Sequence, residues 1–128
     1  MGNYLLDTHT AIWFFNSERA LSQTARQIIL DPSNRRCISI ASVFEFAIKT
    51  HIGKMKIPCD SATFVRLAQD NDISIIPIEP RYLTVLEELP LIHRDPFDHI
   101  LIATAIVEKM TIITADEDIV RYDVPHVW

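Results

Sequence analysis

The stretch DPFDHILIATAIVEKMTIITAD, residues 95–116, holds a complete helix-to-strand unit with acids at both ends. Asp95 followed by Pro96 marks a helix start: a proline at the first helical position loses nothing by lacking an N–H, and an aspartate before it can cap the free amides. From there apolar residues run to about Lys109, and Thr111-Ile112-Ile113-Thr114 reads as a buried strand that ends just before Asp116. Repeated strand–helix order of this kind implies a parallel sheet covered on both faces.

The same alternation extends upstream. Tyr4-Leu5-Leu6 is a short apolar run closed by Asp7, and a helix rich in large side chains follows from about Thr10 to Phe15. Ser22 can cap a helix that carries Ala25, Ile28 and Ile29 on one face and stops at Asp31-Pro32. Cys37 to Ile40 reads as a strand, Ser42 to Thr50 and Ser61 to about Gln69 as helices, Ile73 to Ile78 as a strand, and Pro80 opens a helix through Leu86. The expected fold class is therefore α/β: a three-layer sandwich with a mostly parallel central sheet and helices on both faces, formed by a single domain over residues 1–128.

Composition narrows the function. The chain has 128 residues, 48% of them hydrophobic, enough for one real core. Its formal charge of −5 argues against a protein held on nucleic acid by net positive charge, so a polyanionic substrate would need metal ions or a local basic rim. The glycines are Gly2 and Gly53 only, which excludes phosphate-cradling loops of the dinucleotide or P-loop type. Cys37 and Cys59 have no recognisable spacing, the chain opens without a secretory apolar segment, and no apolar run reaches membrane-spanning length, so a reduced cytoplasmic setting is expected.

Four acids, Asp7, Glu45, Asp98 and Asp116, fall where an apolar run ends or a helix begins. In an open α/β sheet those places meet at one edge, where ligands bind. Each acid also has a structural explanation. Glu45 lies three residues after Ser42, the capping-box spacing. Asp95 is a better N-cap than a ligand, and Asp98 can complete the same box. Asp7 is different, because an acid closing a buried strand serves no capping need that Ser or Asn would not meet as well. Asp116 competes with Glu117 and Asp118, and is favoured as nearest the strand end.

Four independent caps have no reason to land on one edge together. Like charges at close range raise one another's pKa and destabilise the protein unless cations neutralise them. All-oxygen donors without Cys or clustered His favour Mg²⁺ or Mn²⁺ over Zn²⁺, and two such ions would balance four carboxylates. A metal pair roughly 4 Å apart serves to activate water, orient a phosphodiester and stabilise the leaving 3′ oxygen. The chemistry implied is phosphodiester hydrolysis, with the acids positioning metals rather than acting as nucleophiles.

The segments LLDTHTAIW (5–13), SVFEFAIKTHIGKMKIP (42–58), LPLIHRDPFDHILIATA (89–105) and TIITADEDI (111–119) resemble a PIN domain, and more narrowly the VapC-type ribonuclease toxins of bacterial toxin–antitoxin pairs. The resemblance covers essentially the whole chain, and HRDPFD followed by ILIATA is its most specific part. It implies that Asp7, Glu45, Asp98 and Asp116 bind Mg²⁺ or Mn²⁺ and cleave single-stranded RNA. It also implies a VapB-like cognate antitoxin that lies across the cleft, a homodimer, and no membrane association. Phe44 and Phe46 around Glu45 replace the Trp and smaller aliphatic residue common in related toxins, a change expected to alter packing rather than metal ligation. Asp95 corresponds to a fifth acid of this subgroup.

Thr8 and Thr114 flank two of the acids, and their hydroxyls are suited to hold a carboxylate or an ordered water. Lys49, Lys54, Lys56 and Arg94 are candidate phosphate contacts. The five histidines show no zinc pattern, and His9 alone is expected to touch the site. Trp13, Phe14 and Phe15 offer more apolar surface than one short helix needs, suited to core packing first and to a partner groove second. A haloacid-dehalogenase phosphatase would need an Asp at position 9, which is His9, and a kinase would need an Asn at position 100, which is Ile100. The remaining alternative is a catalytically silent PIN-like scaffold whose acids serve folding or partner binding.

Overall fold

Leu6, Ile38 and Ile113 stand side by side on three adjacent parallel strands and point to one face; Leu5, Cys37 and Ile112, one residue earlier, stand in the same row and point to the other. This period-two alternation, with all six side chains fully buried, is what a strand sealed on both faces requires. The strands are β1 (Asn3–Leu6), β2 (Arg35–Ser39), β3 (Ser74–Ile76), β4 (Thr111–Ile113) and β5 (His126–Val127), in spatial order β3-β2-β1-β4-β5. Every pairing is parallel. The computed structural model describes residues 2–55 and 59–128; Lys56 lies outside them.

Helices α1 (Thr8–Phe15) and α2 (Gln23–Leu30) connect β1 to β2; α3 (Ile40–His51) and α4 (Ser61–Asp70) connect β2 to β3; α5 (Pro80–Glu88) and α6 (Pro96–Glu108) connect β3 to β4. The first four supply one core, with Ala11, Phe14, Ala25, Ile29, Phe46, Phe64 and Ala68 packed on the Leu6 face. Leu101, Ile102 and Ala105 of α6, with Met110, Ile119, Tyr122 and Val124, cover the Leu5 face. The α/β three-layer sandwich expected from the sequence is thus the architecture found. Phe46 and Phe64 are each 1% exposed, with ring centroids 4.7 Å apart, and each contributes about 2–3 kcal/mol through burial.

Several boundaries differ from the sequence reading. The strand expected over Cys37–Ile40 is Arg35–Ser39, and Ile40 is already helical because Ser39 caps α3, its hydroxyl accepting from the Ala41 amide at 3.0 Å. Ser42 is therefore not an N-cap, and Glu45 is not its capping-box partner. Helix α1 begins at Thr8, and Asp7 is its N-cap, accepting from the Thr10 amide at 2.7 Å. The run Ile73–Ile78 is strand only over Ser74–Ile76. β5 had no signal in a two-residue segment.

Arg36 holds the opposite end of the sheet. Its guanidinium, with the residue only 7% exposed, donates to the carbonyls of Ile29, Asn34, Asn71 and Asp72. It thereby neutralises the carbonyl ends of α2 and α4, where a cation is favoured.

Helix α6 closes through Lys109, whose φ of 56° lies in the left-handed region. The Met110 amide then returns to the Ala105 carbonyl at 2.9 Å, the geometry that glycine normally serves. Lys109→Gly is expected to raise stability by about 0.5–1 kcal/mol, read as an increased urea midpoint with an unchanged slope; a loss of stability would show that the Lys109 side chain contributes more than the strain costs.

Candidate active site at the carboxyl edge of the sheet

Strand order reverses at β1. The chain steps outward from β1 to β2 to β3, then crosses back to add β4 on the other side of β1. Outside the carboxyl ends of β1 and β4 there is consequently a crevice, the usual ligand position in open parallel sheets. One step past the row Leu6, Ile38 and Ile113 come Asp7, Ser39 and Thr114, so Asp7 and Thr114 stand at that crevice because of register alone.

Asp7 is 5% exposed. Its Oδ1 accepts from the Thr10 amide and its Oδ2 accepts from the Thr114 hydroxyl. The Thr114 oxygen also accepts from the Asp116 amide at 2.9 Å, so one hydroxyl ties the ends of β1 and β4 together. Burial pushes the Asp7 pKa above the ordinary carboxylate value, and the Thr114 and Thr10 hydrogen bonds oppose it. Asp116 is held by the Asp118 amide, which donates to its Oδ1 at 2.8 Å. Asp7 and Asp116 share a cleft with His9, Trp13 and Ala115.

Asp98 sits in the first turn of α6, behind the Asp95 cap, whose Oδ1 accepts from the Phe97 amide at 2.9 Å and the Asp98 amide at 3.4 Å. Both roles foreseen for Asp95 as a cap and for Pro96 at the helix start are observed. The Asp98 pKa is raised to about 7: burial is the main cause, the charges of Asp95 and Asp116 add to it, and His93 opposes. This places Asp98 within the electrostatic reach of Asp116.

His93 was not anticipated at the site. Its Nε2 lies 2.9 Å from Asp98 Oδ2 and its Nδ1 2.8 Å from the Tyr122 hydroxyl. His99 Nε2 lies 2.8 Å from the His93 carbonyl and 3.1 Å from the Tyr122 oxygen. One proton arrangement satisfies all of these contacts: Tyr122 donates to His93 Nδ1, His93 Nε2–H donates to Asp98, and His99 donates to both oxygens. The expectation that His9 alone of the histidines touches the site is therefore corrected. No sequence spacing signals the contact, because Tyr122 reaches back from beyond β4.

Glu45 lies in the second turn of α3 and is 9% exposed. Ser42, one turn earlier, receives a hydrogen bond of 2.9 Å from the Thr8 hydroxyl, which clamps α3 to the start of α1. Thr8 thus holds a serine rather than the expected carboxylate. The Glu45 carboxylate pairs with Lys49 at 3.2 Å. Lys49 is therefore engaged within its own helix, while Lys54 and Arg94 are exposed.

These donors are chemically suited to a hard divalent cation: all are carboxylate oxygens, and the repulsion and burial that raise the Asp98 pKa are what such a cation relieves. Among the described residues the side chains do not close into a group of three around a single point. Nor is any described helix long and apolar enough to cross a membrane.

A parallel α/β sandwich with a buried aspartate, Asp7, and the half-buried Asp98 and Asp116 at its switch point defines the class. The chain belongs to the PIN domain family, whose model matches residues 4–125. Comparison with curated protein sequences returns no match. Among solved structures the fold is similar to a chain of VapBC2 from Rickettsia felis bound to a DNA fragment from its promoter, at 16% identity and a TM-score of 0.73, covering 98% of this chain and 97% of that one. It is similar also to a chain of DNA-bound VapBC from Salmonella typhimurium, at 14% identity and a TM-score of 0.71, covering 99% and 98%. A toxin–antitoxin complex from Klebsiella pneumoniae matches at 22% identity and a TM-score of 0.61, covering 98% and 96%.

Proposed function

We propose that the chain is a cytoplasmic Mg²⁺- or Mn²⁺-dependent endoribonuclease that cleaves single-stranded RNA, acting as the toxin of a VapBC-like toxin–antitoxin pair. The observation that carries this reading is the cleft that Asp7 and Asp116 line at the switch point of a PIN domain, with the charge of Asp116 felt by Asp98 in the first turn of α6. A cognate antitoxin covering the cleft accompanies the reading, supported by toxin–antitoxin complexes of the same fold; a homodimeric assembly is part of the same proposal.

Asp7, Asp98 and Asp116 would hold the cation directly, with Glu45 on the α3 side. A cation held there would supply charge neutralisation for a phosphodiester and would lower the pKa of water. The chain's own residues fix the donors. Thr114 and the Thr10 amide orient Asp7, the Asp118 amide orients Asp116, and His93 orients Asp98 with Tyr122 behind it. Water would lose a proton as its oxygen bonds to phosphorus, the bond from phosphorus to the 3′ oxygen would break, and that oxygen would take up a proton to leave as a hydroxyl, with no covalent bond to the enzyme.

Incubating the isolated chain with mixed single-stranded RNA in Mg²⁺, in Mn²⁺ and in EDTA tests the proposal; cleavage only with metal is expected. Folded protein that neither cuts RNA nor binds Mn²⁺ would favour the silent scaffold. Tyr122→Phe removes the hydroxyl behind His93, and is expected to lower Mn²⁺ affinity by roughly tenfold or more, measured by calorimetry. Unchanged affinity would show that His93 holds Asp98 without Tyr122.

A further inference from the structure

Of the two tryptophans of the chain, Trp13 lines the acidic cleft and Trp128 packs against Trp13. The Trp13 ring lies edge-on to Trp128 with centroids 5.7 Å apart, and 5.9 Å from His9 at an interplanar angle of 47°. Trp13 and Trp128 are half-buried, with one side packed on the Leu6-face core. His9 is exposed, and its ring adds nothing to that core. His9 and Trp13 line the same cleft of about 210 Å³ as Asp7, Ala115 and Asp116. Its aromatic wall therefore stands directly against its acidic floor.

We propose that His9 and Trp13, backed by Trp128, form a stacking shelf for one unpaired nucleobase of the RNA whose backbone crosses the acids. This rests on the nuclease reading and names how the substrate is held. The chain carries a net charge of −5 and the cleft floor is carboxylate, so phosphate attraction is a weak grip at this wall. A nucleobase is neutral and presents a π face that any aromatic ring can receive without charge. Ala115 projects only a methyl group into the cleft, leaving the ring surface accessible. A base in a duplex is sealed between its neighbours and cannot enter, so the shelf selects single-stranded segments.

Because the two tryptophans are Trp13 and its neighbour Trp128, tryptophan emission, excited selectively over the tyrosines, reports on the shelf. The experiment titrates wild-type protein in Ca²⁺ with a short single-stranded oligoribonucleotide, with the matching abasic strand and with the duplex. Quenching and binding by the base-bearing single strand, and much weaker binding by the other two, are expected. Trp13→Leu should weaken binding roughly tenfold or more, Trp13→Phe should restore most of it, and the exposed His9→Ala should weaken it several-fold without disturbing the fold. In cleavage these losses should fall on KM more than on kcat. Equal affinity for the abasic strand or the duplex, or unchanged affinity in both His9→Ala and Trp13→Leu, would overturn the shelf. Stacking without cleavage in Mn²⁺ would sink the nuclease reading and leave the shelf standing; cleavage with base-independent binding would do the reverse.

Discussion

Asp7→Asn is expected to lower RNA cleavage by at least about 10³ while the protein stays folded. The activity loss follows because a carboxylate that neutralises a cation contributes several kcal/mol to charge stabilisation, and each 1.4 kcal/mol is a factor of ten. The fold should survive because asparagine caps helices as well as aspartate does: its Oδ1 can accept from the Thr10 amide as Asp7 does, and its Nδ2 can donate to the Thr114 hydroxyl oxygen in place of the bond that hydroxyl now gives Asp7. Burial already disfavours the charged form of Asp7, so a neutral side chain of the same shape is tolerated there. Circular dichroism and a thermal melt beside the cleavage assay separate the two effects. Full activity in the variant would support the scaffold; an unfolded variant would mean that capping is the main duty of Asp7.

Asp98→Asn should cause a comparable loss of cleavage with the opposite signature in stability. With its pKa raised to about 7, Asp98 binds its proton more tightly in the folded than in the unfolded chain, whose carboxyl titrates near 3.8. The folded state thus holds more protons between those values, and metal-free stability falls as pH rises through that window, the full penalty standing above 7. Asparagine removes the ionisation. The variant should melt a few degrees higher than wild type at pH 8 in EDTA, and the advantage should vanish near pH 4. In the wild type, protons and metal compete for Asp98, so Mn²⁺ affinity should weaken as pH drops below 7. A variant less stable than wild type at pH 8 would show that the His93 contact outweighs the burial of Asp98 and the repulsion from Asp95 and Asp116.

Much of this could be read from residues alone. Leu5 and Leu6 before Asp7, the Asp95-Pro96 start of α6, and Thr111–Ile113 before Asp116 each join an apolar period to a terminator, and all three lie where expected. Three of the four acids follow from those boundaries. Glu45 is harder to place because Ser39 sits between Ile38 and Ile40 and passes for a residue inside an apolar strand, which hides the switch from strand to helix there and leaves Ser42 as the apparent cap. The capping duty of Asp7 is hidden for a similar reason, since α1 starts two residues earlier than its large side chains suggest. The His93–Tyr122–His99 network and the Arg36 anchor are tertiary contacts between segments far apart in the chain. No local pattern encodes such contacts, and a buried arginine or histidine looks like a surface residue until the fold surrounds it.

The central claim is that water, activated at these acids with a divalent metal, breaks the RNA backbone. End-group analysis of the cleaved RNA in Mn²⁺ tests it most directly. The account predicts products with 5′-phosphate and 3′-hydroxyl ends, formed in Mn²⁺ and absent in EDTA. Products ending in 2′,3′-cyclic phosphate and formed equally in EDTA would mean that the ribose hydroxyl is the nucleophile, and would contradict it.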